Sequence, residues 1–155
     1  MPEEIERKFL VNKELWEKME KPKGILIQQG YLSSNPECTI RVRRTDDAST
    51  ITIKGLNKGA VRTEFEYDIP TEDVEQLLHL FTEKSISKTR YPIEFKGKWW
   101  EVDVFHDANN GLVVAEIELE NEHELFEQPN WVAEEVTDDI RYYNVNLLEN
   151  PFEKW

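Results

Sequence analysis

The stretch EIERKFLV, residues 4–11, decides how this chain folds. In a β-strand successive side chains point to opposite faces. The charged residues Glu4, Glu6 and Lys8 would therefore share one face, with the apolar Ile5 and Phe9 on the other. The charged face then either lies in water or holds a ligand, and the strands that follow bear on this choice.

The composition limits the classes of protein to consider. The chain has 155 residues, 39% of them hydrophobic and 33% charged, which predicts one globular domain over residues 1–155. No apolar run approaches the roughly 20 residues of a membrane helix, and the acidic start does not resemble a signal peptide. A single cysteine, Cys38, favours a cytoplasmic location. A net charge of −13 argues against non-specific binding of nucleic acid.

Alternating patterns predict eight mainly antiparallel strands, at residues 3–11, 25–33, 38–45, 49–56, 60–70, 85–95, 98–105 and 112–120. One helix is predicted in residues 12–21, with Asn12 as its N-cap, and a longer one from Thr71 through Phe81. A third short helix is predicted in NEHELFEQ, residues 121–128, followed by a brief tail. The predicted fold class is therefore α+β.

Charged side chains keep one phase in nearly every predicted strand. On each of the later strands the following residues share one face: Arg41 and Arg43; Thr52 and Lys54; Arg62, Glu64 and Glu66; Lys88 and Arg90; Glu101 and Asp103; and Glu116, Glu118 and Glu120. A solvated sheet face also alternates, but it usually mixes Thr, Ser, Gln and Lys. The few helices cannot cover eight strands, whereas eight strands suffice to close a barrel. We therefore expect a closed eight-stranded antiparallel β-barrel with a charged lumen and a few flanking helices.

The two signs of charge in such a lumen require two kinds of ligand. Buried cations require a dense polyanion, and arginine forks suit phosphate oxygens. Buried carboxylates require hard divalent cations. A chain of phosphates carrying Mg²⁺ or Mn²⁺ satisfies both sets. The basic set is Lys8, Arg41, Arg43, Lys54, Arg62, Lys88 and Arg90, and the acidic set is Glu4, Glu6, Glu64, Glu66, Glu116 and Glu118.

The same residues resemble the CYTH superfamily, the triphosphate tunnel metalloenzymes. The matching motifs run in order along almost the whole chain: E-x-E-x-K (4–8), QQGYL (28–32), RVRR (41–44), TIKG (52–55), RTEFEYDI (62–69), KTRY (88–91), EVDVF (101–105), AEIELE (115–120) and EEVTDDIRYYN (134–144). The length is similar to that of the small, single-domain bacterial members. The resemblance implies a closed β-tunnel whose members act on triphosphates with a divalent metal.

The resemblance also implies roles for individual residues. The implied metal ligands are Glu4, Glu6, Glu116 and Glu118, with Glu64 and Asp103 as further members. The implied phosphate ligands are Lys8, Arg41, Arg43, Lys54, Arg62, Lys88 and Arg90, with Arg141 at one end, where Ile140 replaces a lysine of some relatives. Tyr31 resembles a tyrosine that approaches the E-x-E-x-K lysine, so that Glu4, Glu6, Lys8 and Tyr31 form the expected catalytic set.

Several functions fit these expectations. We favour a metal-dependent hydrolase of inorganic tripolyphosphate, with Mg²⁺ or Mn²⁺ as cofactor and neither nucleic acid nor membrane as partner. A thiamine or nucleoside triphosphatase, or a class IV-type adenylate cyclase, is the enzymatic alternative; a cyclase would need a base-binding wall, for example from Trp99 or Phe105. A non-catalytic polyphosphate- or nucleotide-binding module is the third alternative. The resemblance adds the expectation of a homodimer.

Overall fold

Nine β-strands dominate the computed structural model, which describes residues 3–81 and 85–155. The strands are β1 (Glu3–Val11), β2 (Ile25–Asn35), β3 (Cys38–Arg44), β4 (Ser49–Lys54), β5 (Val61–Asp68), β6 (Ile86–Phe95), β7 (Lys98–Phe105), β8 (Val113–Glu118) and β9 (Val132–Glu135). The α-helices are α1 (Lys13–Lys18), α2 (Thr71–Phe81) and α3 (Asn144–Glu149), and short 3-10 turns lie at Asp107–Asn109, Ile140–Tyr142 and Phe152–Lys154. No helix in these two ranges is long and apolar enough to cross a membrane.

Antiparallel pairing closes eight of the strands into a barrel. The order is β5-β4-β3-β2-β6-β7-β8-β1, and β1 pairs back with β5. The closing register sets Glu4 of β1 opposite Arg62 of β5. The closed eight-stranded barrel predicted from the sequence is thereby confirmed. β9 adds a ninth strand, which pairs with the far end of β1 through Phe9 and Val11.

The apolar phase of the strands faces outward and forms the larger core. Phe9, Trp100 and Ile117 are almost completely buried on this outer face. Trp16 of α1 and Trp131, just before β9, complete the cluster and meet neighbouring rings edge-on. The barrel is therefore supported by a core outside its wall, which leaves the inside available for polar groups.

A second apolar cluster fills one end of the lumen. Ile86, Phe105 and Val114 share the phase of the charged residues on their strands, so they point inward. They pack against Tyr142 and against Leu147 of α3. The C-terminal segment thus closes this end of the barrel, and the charged side chains occupy the rest of the interior.

The prediction of a helix at residues 121–128 is wrong, because the structure shows a bend, a turn and then irregular chain there. Local side-chain bonds replace the helical ones: Asn121 accepts from the backbone N–H of His123, and the Glu124 carboxylate accepts from the backbone N–H of Glu120 and pairs with Lys98. Phe126 packs edge-on against Phe9 and Trp100. Burial of this aromatic ring outweighs the helical propensity of the segment.

The helix predicted from Thr71 through Phe81 is confirmed as α2, whereas the first predicted helix is shorter than residues 12–21. It ends as α1 at Lys18, where the backbone N–H of Met19 bonds to the carbonyl of Trp16. The region after Pro129 was predicted as a brief tail. It instead forms β9, α3 and two 3-10 turns.

Candidate active site in the barrel lumen

The lumen encloses a cavity of about 270 Å³ that is lined mostly by charged side chains. Seven acidic and seven basic residues line it: Glu4, Glu6, Glu64, Glu66, Glu101, Glu116 and Glu118, with Lys8, Arg41, Arg43, Lys54, Arg62, Lys88 and Arg90. Tyr31 also lines the cavity. All but two of the site residues predicted from the sequence are therefore brought together; Asp103 and Arg141 are the exceptions.

Lys8 lies between two carboxylates. The register of β1 and β8 sets Glu6 opposite Glu118 and Lys8 opposite Glu116. The Lys8 ammonium donates to Glu116 at 2.6 Å and lies 3.3 Å from Glu6. Burial alone would lower the pKa of Lys8, but the charges of Glu116 and Glu6 outweigh it and raise that pKa. Lys8 is therefore a fixed positive charge at the centre of the site.

Four carboxylates, Glu4, Glu6, Glu64 and Glu118, form a set that we call the acidic group. Lys54 lies 2.8 Å from Glu4 and 3.8 Å from Glu64. Burial, together with a hydrogen bond to Glu4 and its charge, raises the pKa of Glu64 to about 8. Burial, followed by the charge of Glu116, raises the pKa of Glu6 to about 7. The acidic group thus holds more negative charge than its lysines balance.

Four cations, Arg41, Arg43, Lys88 and Arg90, form the basic group. Arg90 makes a bidentate pair with Asp103 at 2.7 and 2.9 Å, and the Lys88 ammonium lies 2.8 Å from the same carboxylate. Burial lowers the pKa of Lys88 to about 7; the charge of Asp103 opposes this shift, and the charges of Arg90 and Arg43 add to it. Arg90 also donates to Glu101 at 3.0 Å and Arg41 lies 3.9 Å from Glu66, whereas Arg43 has no carboxylate partner among the described residues.

Arg43 and Arg62 are the least compensated cations of the lumen. Among residues 3–81 and 85–155, no carboxylate lies within ion-pair distance of either guanidinium. Arg43 donates from Nε to the Gln29 amide oxygen at 2.8 Å, and Arg62 donates to the carbonyl of Gly55 at 2.6 Å. Burial, followed by repulsion from Arg41, lowers the pKa of Arg43 to about 10. Arg62 also donates to the Thr39 hydroxyl at 2.9 Å. These neutral acceptors leave the charge of both guanidiniums uncompensated, so both can attract an anion.

Glu116 connects the two groups, because one of its oxygens accepts from Lys8 and the other lies 3.8 Å from Arg90. A family model described as the CYTH domain matches residues 2–149. The chain belongs to the CYTH family. The charged residues that line its lumen are those that the sequence motifs place on one face of their strands.

Two curated relatives of the chain have the same described activity. The chain is 42% identical to an inorganic triphosphatase of Acetivibrio thermocellus, over 100% of this chain and 99% of that protein. It is 34% identical to an inorganic triphosphatase of Nitrosomonas europaea, over 93% of this chain and 95% of that protein. A solved structure of an inorganic triphosphatase superimposes with a TM-score of 0.65 at 30% identity, covering 93% of this chain and 96% of that one.

The donor chemistry of this CYTH lumen fits a divalent cation. Within the described part of the chain, no three acidic, histidine or cysteine side chains are already arranged as a metal site. Lys8 and Lys54 instead separate the carboxylates. The pKa values of Glu6 and Glu64 are raised, so near neutral pH bound protons neutralise part of the negative charge of these two carboxylates. A hard cation with oxygen ligands supplies the same charge.

Two predicted site residues lie outside the cavity. Asp103 is completely buried behind Lys88 and Arg90, and both of its oxygens are engaged by these cations. Arg141 lies at the surface, 2.7 Å from Asp139 and stacked over the Trp155 ring at 4.9 Å. Asp103 lies on a strand, so the alternation of side chains correctly predicted that it points inward. Arg141 lies in a 3-10 turn, where this alternation does not apply.

The two aromatic residues considered for a base-binding wall do not provide one. Trp99 is exposed, and Phe105 is buried in the apolar cluster at the closed end. Neither lines the cavity.

Sequence reasoning missed the amide residues Gln29, Asn57 and Asn144. Asn57, Asn144 and Tyr143 line the cavity, and Gln29 supports Arg43 from behind. Gln29 shares the phase of Tyr31 on β2, so the strand pattern could have identified it. Asn144 lies in the C-terminal segment, which has no strand periodicity to reveal its position.

Proposed function

We propose that this CYTH protein hydrolyses inorganic tripolyphosphate with the help of Mg²⁺ or Mn²⁺. The observation that carries the proposal is that one cavity is lined both by the acidic group, in which Glu6 and Glu64 have raised pKa values, and by two arginines, Arg43 and Arg62, without a carboxylate partner among the described residues. A phosphate chain bound to a divalent cation balances both at once. The curated relatives named inorganic triphosphatase support this assignment.

The basic side chains bind and orient the phosphate chain in this proposal. Arg43 and Arg62 contribute most, because their forks have no carboxylate partner among the described residues. Arg41 adds a third fork, held to Thr52 at 3.0 Å. Lys88 and Arg90 add charge from positions fixed by Asp103. Phosphoryl transfer depends mostly on such positioning and charge neutralisation. Asp103 is therefore a positioning residue in this scheme, and Arg141 has no part in it.

The acidic group, together with Glu116, would hold the metal. A divalent cation at these carboxylates supplies Lewis-acid neutralisation of phosphate charge and lowers the pKa of a bound water. Glu6 and Glu118 face each other across β1 and β8, and Glu4 lies on the same face of β1. The Glu6 and Glu64 carboxyls would have to lose their protons on metal binding, since a metal ligand must be deprotonated.

Lys8 and Tyr31 complete the proposed catalytic set. The Lys8 ammonium, held by Glu116 and Glu6, stabilises negative charge on the phosphate that is transferred or released. Tyr31 lies opposite Arg41 in the pairing of β2 and β3 and lines the same cavity. We propose that its hydroxyl contacts the phosphate chain beside Arg41. The cytoplasm is the location that we propose for the enzyme.

Inorganic tripolyphosphate fits the lumen better than a nucleotide does. Nearly all of the residues that line the cavity are charged or polar, and the aromatic members are Tyr31 and Tyr143. A nucleobase site usually presents a stacking surface. Trp99 and Phe105 do not supply one here.

The test is phosphate release from tripolyphosphate, ATP and thiamine triphosphate with Mg²⁺ or Mn²⁺. We expect rapid release from tripolyphosphate and a loss of orders of magnitude in Glu6→Gln. Glu3→Gln is the matched control, since Glu3 is exposed and points away from the lumen on the same strand. Formation of cyclic AMP from ATP would favour a cyclase instead, and tight binding of tripolyphosphate without release would favour a binding module.

A further inference from the structure

The first residue of α3, Asn144, connects the C-terminal segment to two cations of the basic group. Its side-chain oxygen accepts from the Lys88 ammonium at 2.9 Å and from the Gln29 amide at 3.2 Å. The Gln29 oxygen in turn accepts from Arg43 Nε at 2.8 Å. Two amides thus connect residues of β2, β3, β6 and α3 in one hydrogen-bonded chain.

These contacts lie in a nearly dry part of the protein. Gln29 and Lys88 are 0% and 1% exposed. A buried polar group that loses its partner incurs its full desolvation penalty, so this chain of hydrogen bonds strongly constrains the side chains it joins. Lys88 is further held by Asp103 at 2.8 Å and lies over the Phe105 ring. The Lys88 ammonium therefore has a hydrogen bond to Asn144 and an ion pair with Asp103, and Lys88 lines the cavity.

The side-chain amides of Asn144 and Gln29 act on a neighbouring cation differently from a carboxylate at the same position. An amide oxygen fixes a cation in place but does not cancel its charge, whereas a carboxylate does both. Arg43, held through Gln29, therefore keeps its positive charge available while its position is set, whereas Lys88 is held by the Asn144 amide in addition to the Asp103 carboxylate. Placing the amide on α3 makes the arrangement depend on how the C-terminal segment closes the barrel.

We propose that Asn144 is a positioning residue which, directly and through Gln29, orients Lys88 and Arg43 toward the phosphate chain and so makes substrate affinity depend on the docking of the C-terminal segment. The inference rests on the proposed function, because it takes a polyphosphate as the ligand.

Titration calorimetry of tripolyphosphate in EDTA measures this role without catalysis. The variants are Asn144→Ala, Asn144→Asp and the control Asn146→Ala, which lies on the same helix but donates to the carbonyl of Ile140 outside the lumen. We expect about tenfold weaker binding for Asn144→Ala, as for loss of one hydrogen bond to a charged group. Asn144→Asp should weaken binding at least as much, and Asn146→Ala should bind as wild type does.

Thermal unfolding separates positioning from a purely structural role. Asn144→Asp places a carboxylate beside Lys88, so its melting temperature should equal or exceed that of the wild type while its affinity falls. A structural role would make stability and affinity fall together, and that result overturns the inference. Wild-type affinity in both Asn144 variants overturns it too and leaves the proposed function intact. Failure of the wild type to bind tripolyphosphate in EDTA overturns the inference, and the proposed function is overturned only if phosphate release with Mg²⁺ or Mn²⁺ fails as well.

Discussion

Replacement of Arg43 by methionine should make the protein more stable and less able to bind its ligand. Burial and repulsion from neighbouring arginines lower the pKa of Arg43 from the ordinary arginine value to about 10. At 1.36 kcal/mol per unit this corresponds to about 3 kcal/mol. Since the folded-state pKa is the lower one, this cost is fully present at every pH well below about 10, including pH 7.

Loss of the Arg43 donor has an opposing effect. The Gln29 oxygen that accepts from Arg43 would be left buried and unpaired, which costs about 1–3 kcal/mol. The net expectation for Arg43→Met is a gain of about 1 kcal/mol in the free energy of unfolding. For a chain of this length that gain raises the melting temperature by about 2–4 °C.

The effect on ligand binding has the opposite sign. One charge-assisted arginine–phosphate contact contributes about 1.5–3 kcal/mol, so tripolyphosphate should bind about 10-fold to about 150-fold more weakly. The control is Arg44→Met, the next residue of β3, whose pair with Glu75 is solvent-exposed. Its stability should change by no more than about 1 kcal/mol and its affinity should not change.

Chemical denaturation and titration calorimetry on the same preparations measure both quantities. A loss of more than about 1 kcal/mol of stability in Arg43→Met, or unchanged affinity for tripolyphosphate, would refute the reasoning that this arginine is an uncompensated cation kept for an anion.

Three further predictions concern the acidic group and the outer core. Lys8→Met should lose about 3–5 kcal/mol of stability, because it leaves two buried carboxylates without their cation, and adding Glu116→Gln should recover part of that loss in a double-mutant cycle by urea denaturation. Mg²⁺ affinity, measured by calorimetry, should fall by up to about tenfold per unit as pH drops from about 8 to about 7, and more steeply below about 7. Glu64 and then Glu6 become protonated over this range, and both must release a proton to bind the metal. Trp100→Ala should lose about 3–5 kcal/mol, since its ring is 0% exposed in the outer core.

Each of these expectations has a contradicting result. Strict additivity of the Lys8 and Glu116 changes would show that their 2.6 Å contact carries no coupling energy. Mg²⁺ affinity that is constant between pH 6 and about pH 8 would exclude the raised carboxyl pKa as a competitor for the metal. A small effect of Trp100→Ala would show that the outer cluster is not the main core.

The barrel was predictable from the sequence because the alternation of side chains along each strand shows which residues face the lumen and which face outward. Glu4, Glu6 and Lys8 lie on one face of the first strand, with Ile5 and Phe9 on the other, and the same charged phase recurs on the other strands. Charges on that scale are too costly to bury without ligands and too uniform for an ordinary wet face. The same logic identified Arg43 and Arg62 as lumen residues, which the structure places at the cavity.

The C-terminal region was not predictable on this basis. β9 is four residues long, and the helix α3 begins at Asn144 without a side-chain cap. Their positions depend on tertiary contacts, such as the packing of Leu147 into the closed end of the barrel. The polar network of Asn144 and the surface position of Arg141 follow from those contacts, so local pattern could not reveal them.

The most direct test of the central claim is a crystal structure with Mn²⁺ and tripolyphosphate, prepared with Glu6→Gln if wild-type turnover is too fast. Anomalous scattering locates the manganese independently of the phosphates. The account predicts manganese at carboxylates of the acidic group and phosphates against Arg43 and Arg62. Manganese outside the lumen, or phosphates that leave both arginines uncontacted, would contradict it.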